Sequence, residues 1–391
     1  MSIWTNDLKC VFWNLLLFLK RKRVSNIYKR KYKHYLMRAK IPSETQTGEE
    51  NYVKLWSKID KNVEVFSYRF FHNFMGDVPY IVPESIGHNY IEFFLNPQRF
   101  RDYYNDKNIY GKLFDKSDLP VTIIRRMSGG NLIDGNYQVI KNGDSIINFE
   151  SSVESLSSIL LPYGKVLLKP TIDSNSGEGI MIFSKSDGVF KCDNVVLSPH
   201  FLKEYGDDFA LQEVVEQHKD IAYFNNSSVN TLRLCVYRSV KDENIKLTAA
   251  ALRIGKNQSI VDNIHSGGRF VKIDLCNGKI SEKLYDQFGE YVTKWNGIDF
   301  TSNNFQIPCW DSVKKFACKI ASENHHCRLL ALDVAMTKEG RPILIEQNVI
   351  DFSFWIPMYL GYDVFDGETD DVIEYCRNQL KNENVLHIKL I

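Results

Sequence analysis

Three oxygen-bearing side chains near the end of the chain have the types and spacing of a magnesium site. Residues 329–336 and 343–348 are apolar runs joined by a short charged turn that ends in glycine, and this pattern predicts a β-hairpin. Glu346 and Asn348 leave the same face of their strand, because they are two residues apart, and Asp333 lies on the partner strand. Two carboxylates and an amide oxygen suit Mg²⁺ beside the phosphates of a nucleotide. A surface hairpin whose acids face water is the alternative interpretation.

A lysine and a glycine-containing loop follow a different apolar strand. Residues 165–169 end in Lys169, and a lysine in this position is costly to bury unless an anion meets it. In the loop beyond it, Ser176, Gly177 and Gly179 are small residues whose backbone can approach phosphates closely. The loop lacks the Gly-Lys-Ser/Thr of a Walker loop and the third glycine of a dinucleotide fingerprint, and an ordinary hairpin turn is the alternative.

Further strands carry polar residues at informative positions. Gln212 and Glu213 end a strand that could pass an adenine ring, and Asp220 follows where it could hold ribose hydroxyls; a solvated strand edge is the alternative. Arg233 and Arg253 are each embedded in an apolar strand, where an arginine needs a carboxylate or phosphate partner. Ion pairs with protein carboxylates could satisfy both arginines, but an arginine on each of two neighbouring strands favours a shared anion.

The charge of the chain is unevenly distributed. Residues 1–40 contain eleven Lys or Arg and one acid, so they carry +10, while the remainder carries −9. Residues 10–19 form an apolar run that is too short to span a bilayer. An apolar segment followed by clustered basic residues suits a helix in the interface of an anionic membrane. The alternative is a helix packed on the protein's own core with a solvated basic extension, and no motif accompanies the charge that would indicate nucleic acid.

The remaining patterns indicate an ordinary globular protein with more than one domain. At 391 residues the chain can form two or three cores. Its eight cysteines contain no C-x-x-C pair, which favours reduced thiols in the cytoplasm. Strands run in meanders with helices between them, so the predicted fold class is α+β.

Taken in order, these segments resemble the ATP-grasp superfamily from about residue 105 to 350. The loop at 263–268, with Arg253 before it, is similar to that of the ribosomal-modification α-glutamate ligases. The closer similarity is to the sugar-transfer-associated ATP-grasp branch found with polysaccharide biosynthesis enzymes. The segments that recur in that branch are 106–107, 217–218, 228–233 and 253–255.

The resemblance implies two α+β lobes that clamp ATP, preceded by a helical basic arm. The implied segments are an arm at 1–45, a helical region at 46–118, a first lobe at 119–206 and a second lobe with a C-terminal extension at 207–391. The implied cofactors are ATP and Mg²⁺. The implied site residues are Lys169, Ser176, Gly177, Gly179, Gln212, Glu213 and Asp220 for ATP, Asp333, Glu346 and Asn348 for the metal, and Arg253, Arg233 and Asn263 for catalysis.

The implied activity is that of a carboxylate–amine ligase that works through an acyl phosphate. We expect small-molecule substrates, such as a sugar or amino-acid precursor in surface polysaccharide biosynthesis. We expect the protein in the cytoplasm, with residues 1–40 against the inner face of the membrane and no nucleic-acid partner. Two alternatives are an ATP-grasp kinase that phosphorylates a sugar hydroxyl, with His265 or Asp262 as base, and a nucleotide-binding scaffold at the membrane surface.

Overall fold

The computed structural model describes residues 3–172, 177–302 and 304–381. Its first element is the long helix α1 (Ile3–Ala39), which contains neither glycine nor proline and is rich in Leu, Lys and Arg, residues that favour helices. In the second half of α1, Tyr32 and Leu36 are buried. This half packs on the core. Nearer the start of α1, Leu17 is buried, whereas Phe12, Leu15, Phe18 and Leu19 are exposed. Within the described part of the chain, no helix has the length and apolar character needed to cross a bilayer.

Short helices follow α1 and are held together by aromatic side chains. They are α2 (Glu49–Trp56), α3 (Phe66–Met75), α4 (Glu84–Ile86), α5 (Glu92–Leu95), α6 (Gln98–Asn105) and α7 (Tyr110–Leu113). A π-turn (Gly87–Ile91) joins α4 to α5, and 3₁₀ turns cover Lys107–Ile109 and Lys116–Asp118. Phe70 and Phe71 of α3 contact the ring of Tyr32, so α1 is bound to this region by buried aromatic area.

The first sheet has the strand order β2-β1-β9-β5-β6-β7-β8, and all its pairings are antiparallel. Its strands are β1 (Thr122–Arg126), β2 (Ile133–Asp134), β5 (Lys165–Pro170), β6 (Met181–Ser186), β7 (Val189–Cys192), β8 (Val195–Val196) and β9 (Phe209–Glu213). A separate hairpin consists of β3 (Lys141–Asn142) and β4 (Ser145–Ile146). The helices α8 (Val153–Leu160) and α9 (Pro199–Tyr205) pack on one face, and each begins at a serine whose side chain accepts from a backbone N–H of the first turn.

The second sheet has the order β14-β13-β12-β11-β10-β17-β18 and is also antiparallel. Its strands are β10 (Leu232–Arg238), β11 (Ile245–Ile254), β12 (Arg269–Ile273), β13 (Ile280–Tyr285), β14 (Tyr291–Val292), β17 (Leu329–Met336) and β18 (Pro342–Asn348). A small hairpin pairs β15 (Lys294–Trp295) with β16 (Ile298–Asp299). The remaining helical elements are α10 (Lys219–Ala222), a 3₁₀ turn (Ile264–Ser266), α11 (Trp310–Ser322), α12 (Trp355–Tyr359) and α13 (Thr369–Lys381).

The second sheet is buried on both faces, which explains its apolar strands. Alternate residues of β10 enter different cores: Leu234 and Val236 join the core that contains α11, whereas Cys235 and Tyr237 join the aromatic core of the N-terminal helices. Because side chains alternate along a strand, the side chain of Arg233 lies on the same face of the sheet as that of Cys235, beyond the end of the aromatic core.

Most predicted elements are observed, and the differences have local causes. The hairpin predicted at 329–348 is confirmed as β17 and β18, and the α+β class is confirmed. The sequence also predicts a strand at 137–141, but Tyr137 adopts a φ of 65°, so the chain turns there. Val139 forms a single bridge with Ile133, and a strand begins only at Lys141. The boundary between 206 and 207 precedes β9, which belongs to the first sheet. The division into four segments stays a prediction.

Candidate active site

A cavity of about 370 Å³ opens between the two sheets. Most predicted site residues line it, although they come from widely separated parts of the chain. The predicted residues in its lining are Lys169, Gly177, Gln212, Glu213, Arg233, Arg253, Asn263, Asp333, Glu346 and Asn348. The cavity is therefore the place where nucleotide, metal and substrate chemistry can meet, and we call it the active-site cavity.

Three predicted residues have other positions. Asp220 is an exposed residue in the first turn of α10 and is not part of the lining, so its predicted contact with a ribose has no support in the structure. Gly179 also lies outside the lining; its carbonyl accepts a hydrogen bond of 2.7 Å from the hydroxyl of Tyr205, which anchors the loop to α9. Ser176 lies outside the described residues. Gly177 does line the cavity, with a φ of 78° that glycine adopts without strain.

The predicted metal ligands share one face of the β17–β18 hairpin. The strand register places Asp333 opposite Glu346 and Ala331 opposite Asn348, so the three polar side chains leave the same face. The Nδ2 of Asn348 donates to the backbone carbonyl of Ala331 at 3.2 Å. Two carboxylates and one amide on a single cavity wall form the oxygen donor set that Mg²⁺ prefers beside phosphates. The residues present therefore fit Mg²⁺.

Each of the two carboxylates is held by basic side chains. Arg233 donates to both oxygens of Asp333 at 2.8 and 3.1 Å, and Arg253 donates to the same carboxylate at 3.1 and 3.2 Å. Burial alone would raise the pKa of Asp333, but these arginines outweigh it and lower the pKa. Lys107 forms a 2.8 Å ion pair with Glu346. The two arginines therefore favour the charged form of Asp333, which is the form that binds a cation.

Arg253 is fixed by a second carboxylate. Its Nη2 donates to Asp262 at 2.6 Å, and the other oxygen of Asp262 accepts from the backbone N–H and hydroxyl of Thr231 at 2.9 and 2.5 Å. Asp262 is buried, and its bonds to Arg253 and Thr231 hold its carboxylate in place. The Nε of Arg253 is buried without a hydrogen-bond partner among the described residues. This arrangement leaves one oriented donor beside the cavity.

Two lysines, Lys107 and Lys169, line the cavity. Lys169 is buried, and its pKa falls from 10.5 to about 8, first because of burial and then because of the positive charge of Lys107. Two neighbouring cations in a buried position are unfavourable, and Glu346, which pairs with Lys107, offsets only part of this repulsion at Lys169. Lys107 was not among the predicted site residues. Its only sequence signal was the Asp106-Lys107 pair in the recurring segments, because its partner Glu346 lies far along the chain.

The apolar part of the cavity lining comes from both sheets. It includes Leu167 on β5, Ile182 on β6 and Ile345 on β18, which could enclose a flat ring. Leu167 and Lys169 face the cavity because they alternate with buried core residues along β5. The Nε2 of Gln212 donates to the hydroxyl of Thr122 at 3.0 Å, which holds this strand end against β1.

The family described as "Sugar-transfer associated ATP-grasp" matches residues 95–361. The chain belongs to this family. The resemblance predicted from the sequence is therefore confirmed, and the predicted ATP-grasp fold with it. Membership also agrees with the predicted enzyme class, an ATP-dependent ligase. No curated protein matches the chain.

Several solved structures are similar in fold to this chain at low sequence identity. N5-carboxyaminoimidazole ribonucleotide synthetase from Thermotoga maritima is 11% identical with a TM-score of 0.33, and the match covers 65% of this chain and 44% of that one. D-cycloserine synthetase is 11% identical with a TM-score of 0.40 over 73% of each chain. The D-alanine–D-alanine ligase of Coxiella burnetii is 10% identical with a TM-score of 0.36, covering 73% of this chain and 62% of that one. The chain thus spans less than two thirds of two of these proteins.

Proposed function

We propose that the protein is an ATP- and Mg²⁺-dependent carboxylate–amine ligase that works through an acyl phosphate. The observation that carries the proposal is the joint lining of one cavity by the acidic hairpin face, the arginine pair and buried Lys169. In this arrangement, Asp333, Glu346 and Asn348 would hold Mg²⁺, which when bound supplies positive charge to the phosphates. Lys169 and Lys107 would neutralise the triphosphate.

The described side chains can promote each chemical step. A carboxylate oxygen of the substrate attacks the γ-phosphorus and the bond to ADP breaks, although the two reacting groups are both negative. The guanidinium groups of Arg253 and Arg233 reduce this repulsion and stabilise the acyl phosphate. The nitrogen of an amine then attacks the acyl carbon, phosphate leaves, and the amine loses a proton. Asn263, at the cavity wall, is proposed to orient the acceptor.

The geometry favours a ligase over a kinase. A kinase needs a general base beside the acceptor hydroxyl. Asp262 is already engaged by Arg253 and Thr231, and His265 is exposed and outside the cavity lining. A ligase needs no such base for carboxylate attack. A non-catalytic scaffold is disfavoured, because it would not require the buried arrangement of Arg253 between two carboxylates.

We further propose that the substrates are small molecules, a carboxylate and an amine, and that one is a sugar or amino-acid precursor in surface polysaccharide biosynthesis. The support is the family description, which associates these ATP-grasp proteins with sugar transfer. The polar wall around Asn226, Ser227 and Ser228 adds hydroxyl and amide groups suited to a hydrated substrate.

The test is a Mg²⁺–ATP reaction against a pooled panel of amino acids, uronic acids and amino sugars. Mass spectrometry and a phosphate assay are expected to detect ADP, free phosphate and a new mass equal to the sum of two substrates minus water. Glu346→Gln should lose this product, whereas Glu282→Gln, which changes an exposed glutamate of β13, should keep it. A phosphorylated sugar without free phosphate would identify a kinase and reject the ligase.

We also propose that α1 contacts an anionic membrane surface from the cytoplasmic side. Phe12, Leu15, Phe18 and Leu19 are each at least half exposed on α1, and the exposed face farther along the helix is basic. Apolar side chains beside basic ones are the combination that enters an anionic lipid interface. Vesicle binding that survives polar substitution of these four residues would contradict this contact.

A further inference from the structure

A second cavity lies where the first half of α1 leaves the core, and we name it the junction cavity. Its volume is about 90 Å³. Among the described residues it shares no lining with the active-site cavity. Its polar lining consists of Lys20, Arg21, His88, Asn89, Gln98 and Arg101.

This lining is predominantly basic, and parts of it are buried without partners. The Nε of Arg101 has no hydrogen-bond partner among the described residues and is shielded from solvent. The Nε2 of His88 also lacks a hydrogen bond there, and it lies 3.7 Å from a carboxylate oxygen of Asp351. A buried donor such as the Nε of Arg101 is costly unless an acceptor meets it. The junction cavity therefore presents donors and positive charge toward one small space.

The nearby acid does not neutralise this charge. Glu92 is buried, and its oxygens accept from the backbone N–H of Asp351 at 2.7 Å and of Phe352 at 3.4 Å. It also meets the Nδ1 of His88 at 3.0 Å and lies 3.6 Å from Arg101. Glu92 thus orients His88 and Arg101, while Lys20 and Arg21 line the cavity from α1. Lys20, Arg21 and Arg101 outnumber the two acids near His88, Glu92 and the more exposed Asp351, so the excess charge at the cavity is positive.

The junction cavity is built into a rigid part of the molecule. The side-chain amide of Asn89 donates to the carbonyl of Arg21 at 3.0 Å, and the guanidinium of Arg21 lies 4.4 Å from the ring centre of Tyr90. The ring of His88 stacks on Tyr28 at 5.2 Å. These contacts fix α1 to the π-turn, a distortion that frequently occurs at functional sites.

We propose that the junction cavity binds the terminal phosphate of a lipid headgroup while the exposed apolar side chains of α1 enter the lipid surface. The proposal rests on the membrane contact proposed above. A small basic cavity accommodates a phosphate through charge-assisted hydrogen bonds, and a phosphomonoester presents three acceptor oxygens to it, whereas a phosphodiester presents two. The fitting partner is a lipid whose headgroup ends in a phosphomonoester, at the level where the apolar part of α1 meets its basic part.

The experiment compares binding of the full chain to two kinds of vesicle with equal surface charge. One contains phosphatidylcholine with phosphatidic acid, and the other contains phosphatidylcholine with phosphatidylserine. We expect about tenfold or tighter binding to phosphatidic acid, the worth of one or more hydrogen bonds to a charged group. Arg101→Gln and Lys20→Gln should each remove this preference. Lys20 is exposed, so its variant is expected to fold normally.

Arg30→Gln is the matched control, because Arg30 is an exposed basic residue of α1 outside the junction cavity. It should weaken binding to both vesicles equally and leave the preference intact. A wild-type protein without preference, or a preference that survives both cavity variants, would overturn the phosphate site and leave the membrane contact standing. Inorganic phosphate that binds the protein without any vesicle preference would overturn the assignment to lipid. A failure to bind either vesicle would overturn the membrane contact as well, and none of these results bears on the ligase.

Discussion

Replacing Lys169 with methionine is expected to stabilise the protein and weaken its binding of ATP. Burial and the neighbouring charge of Lys107 lower the pKa of Lys169 from 10.5 to about 8 in the folded protein. One pKa unit corresponds to roughly 1.4 kcal/mol, so keeping this lysine charged costs about 3 kcal/mol of folding free energy at neutral pH. Methionine has a similar length and no charge, and it removes that cost.

The size of this stabilisation depends on pH. A lysine whose folded-state pKa is lowered destabilises the protein fully below pH 8, because the folded state must hold the unfavourable charge there. As the pH rises from about 8 toward 10.5, the unfolded state also loses the proton and the penalty disappears. The stabilisation by Lys169→Met should therefore be largest near neutral pH and vanish in strongly alkaline buffer.

The same substitution should reduce affinity for the triphosphate. A hydrogen bond to a charged group is worth about 1.5–3 kcal/mol, so the Kd of Mg²⁺–AMPPNP should rise about 10- to 150-fold, while adenosine binding should be unchanged. Urea denaturation and isothermal titration calorimetry measure the two effects. Lys185→Met, which changes an exposed lysine of β6 outside the cavity, is the matched control. A destabilised Lys169→Met protein with normal affinity for AMPPNP would refute the phosphate assignment.

Three further predictions concern the hairpin, the arginine support and α1. Glu346→Gln should fold normally but lower Mg²⁺–ATP turnover at least about hundredfold, measured by phosphate release; normal turnover would remove Glu346 from the metal site. Asp262→Asn should lower kcat/KM about 10- to 150-fold, because it loses a charge-assisted bond to Arg253. Thr231→Val keeps the carboxylate of Asp262 and should lower kcat/KM less. Equal effects of the two substitutions would show that the charge of Asp262 does not position Arg253. Tyr32→Ala should lower the free energy of unfolding by about 3–5 kcal/mol in urea, and a value near zero would show that α1 is not part of the core.

The burial of Tyr32 could not be predicted from the sequence. The charge and composition of residues 1–40 describe a separable basic arm, yet Tyr32 is fully buried against α3. Its hydroxyl also donates to buried Glu84. Composition does not reveal which face of a basic helix meets a core, because that depends on contacts with segments remote in the chain. Removal of residues 1–40 would therefore expose core surface.

The acidic hairpin was predictable because its information is local. The period of two places Glu346 and Asn348 on one face, and the short turn fixes Asp333 opposite them. The arginines in apolar strands were also recognisable as residues in need of anions. Their main partner in the structure is Asp333 itself, which is a long-range contact between β10, β11 and β17 that no local pattern specifies.

Other parts of the site depended on tertiary structure alone. Lys107 reaches Glu346 only because the region after α6 folds against the end of the second sheet. Asp262 was considered only as a base for a kinase, whereas the structure engages it as the support of Arg253. Asp220 matched a spacing along the chain, but the short helix α10 holds it at the surface. Spacing in sequence predicts position reliably only within one regular element.

The formation of an acyl phosphate is tested most directly by isotope transfer. Once the panel reaction identifies a substrate pair, the carboxylate substrate is labelled with ¹⁸O and the reaction is run with Mg²⁺–ATP in unlabelled water. The proposed ligase predicts that one ¹⁸O atom appears in the released phosphate, because the carboxylate oxygen that attacks the γ-phosphorus leaves with it. Phosphate without ¹⁸O, formed together with the amide product, would contradict the acyl-phosphate mechanism.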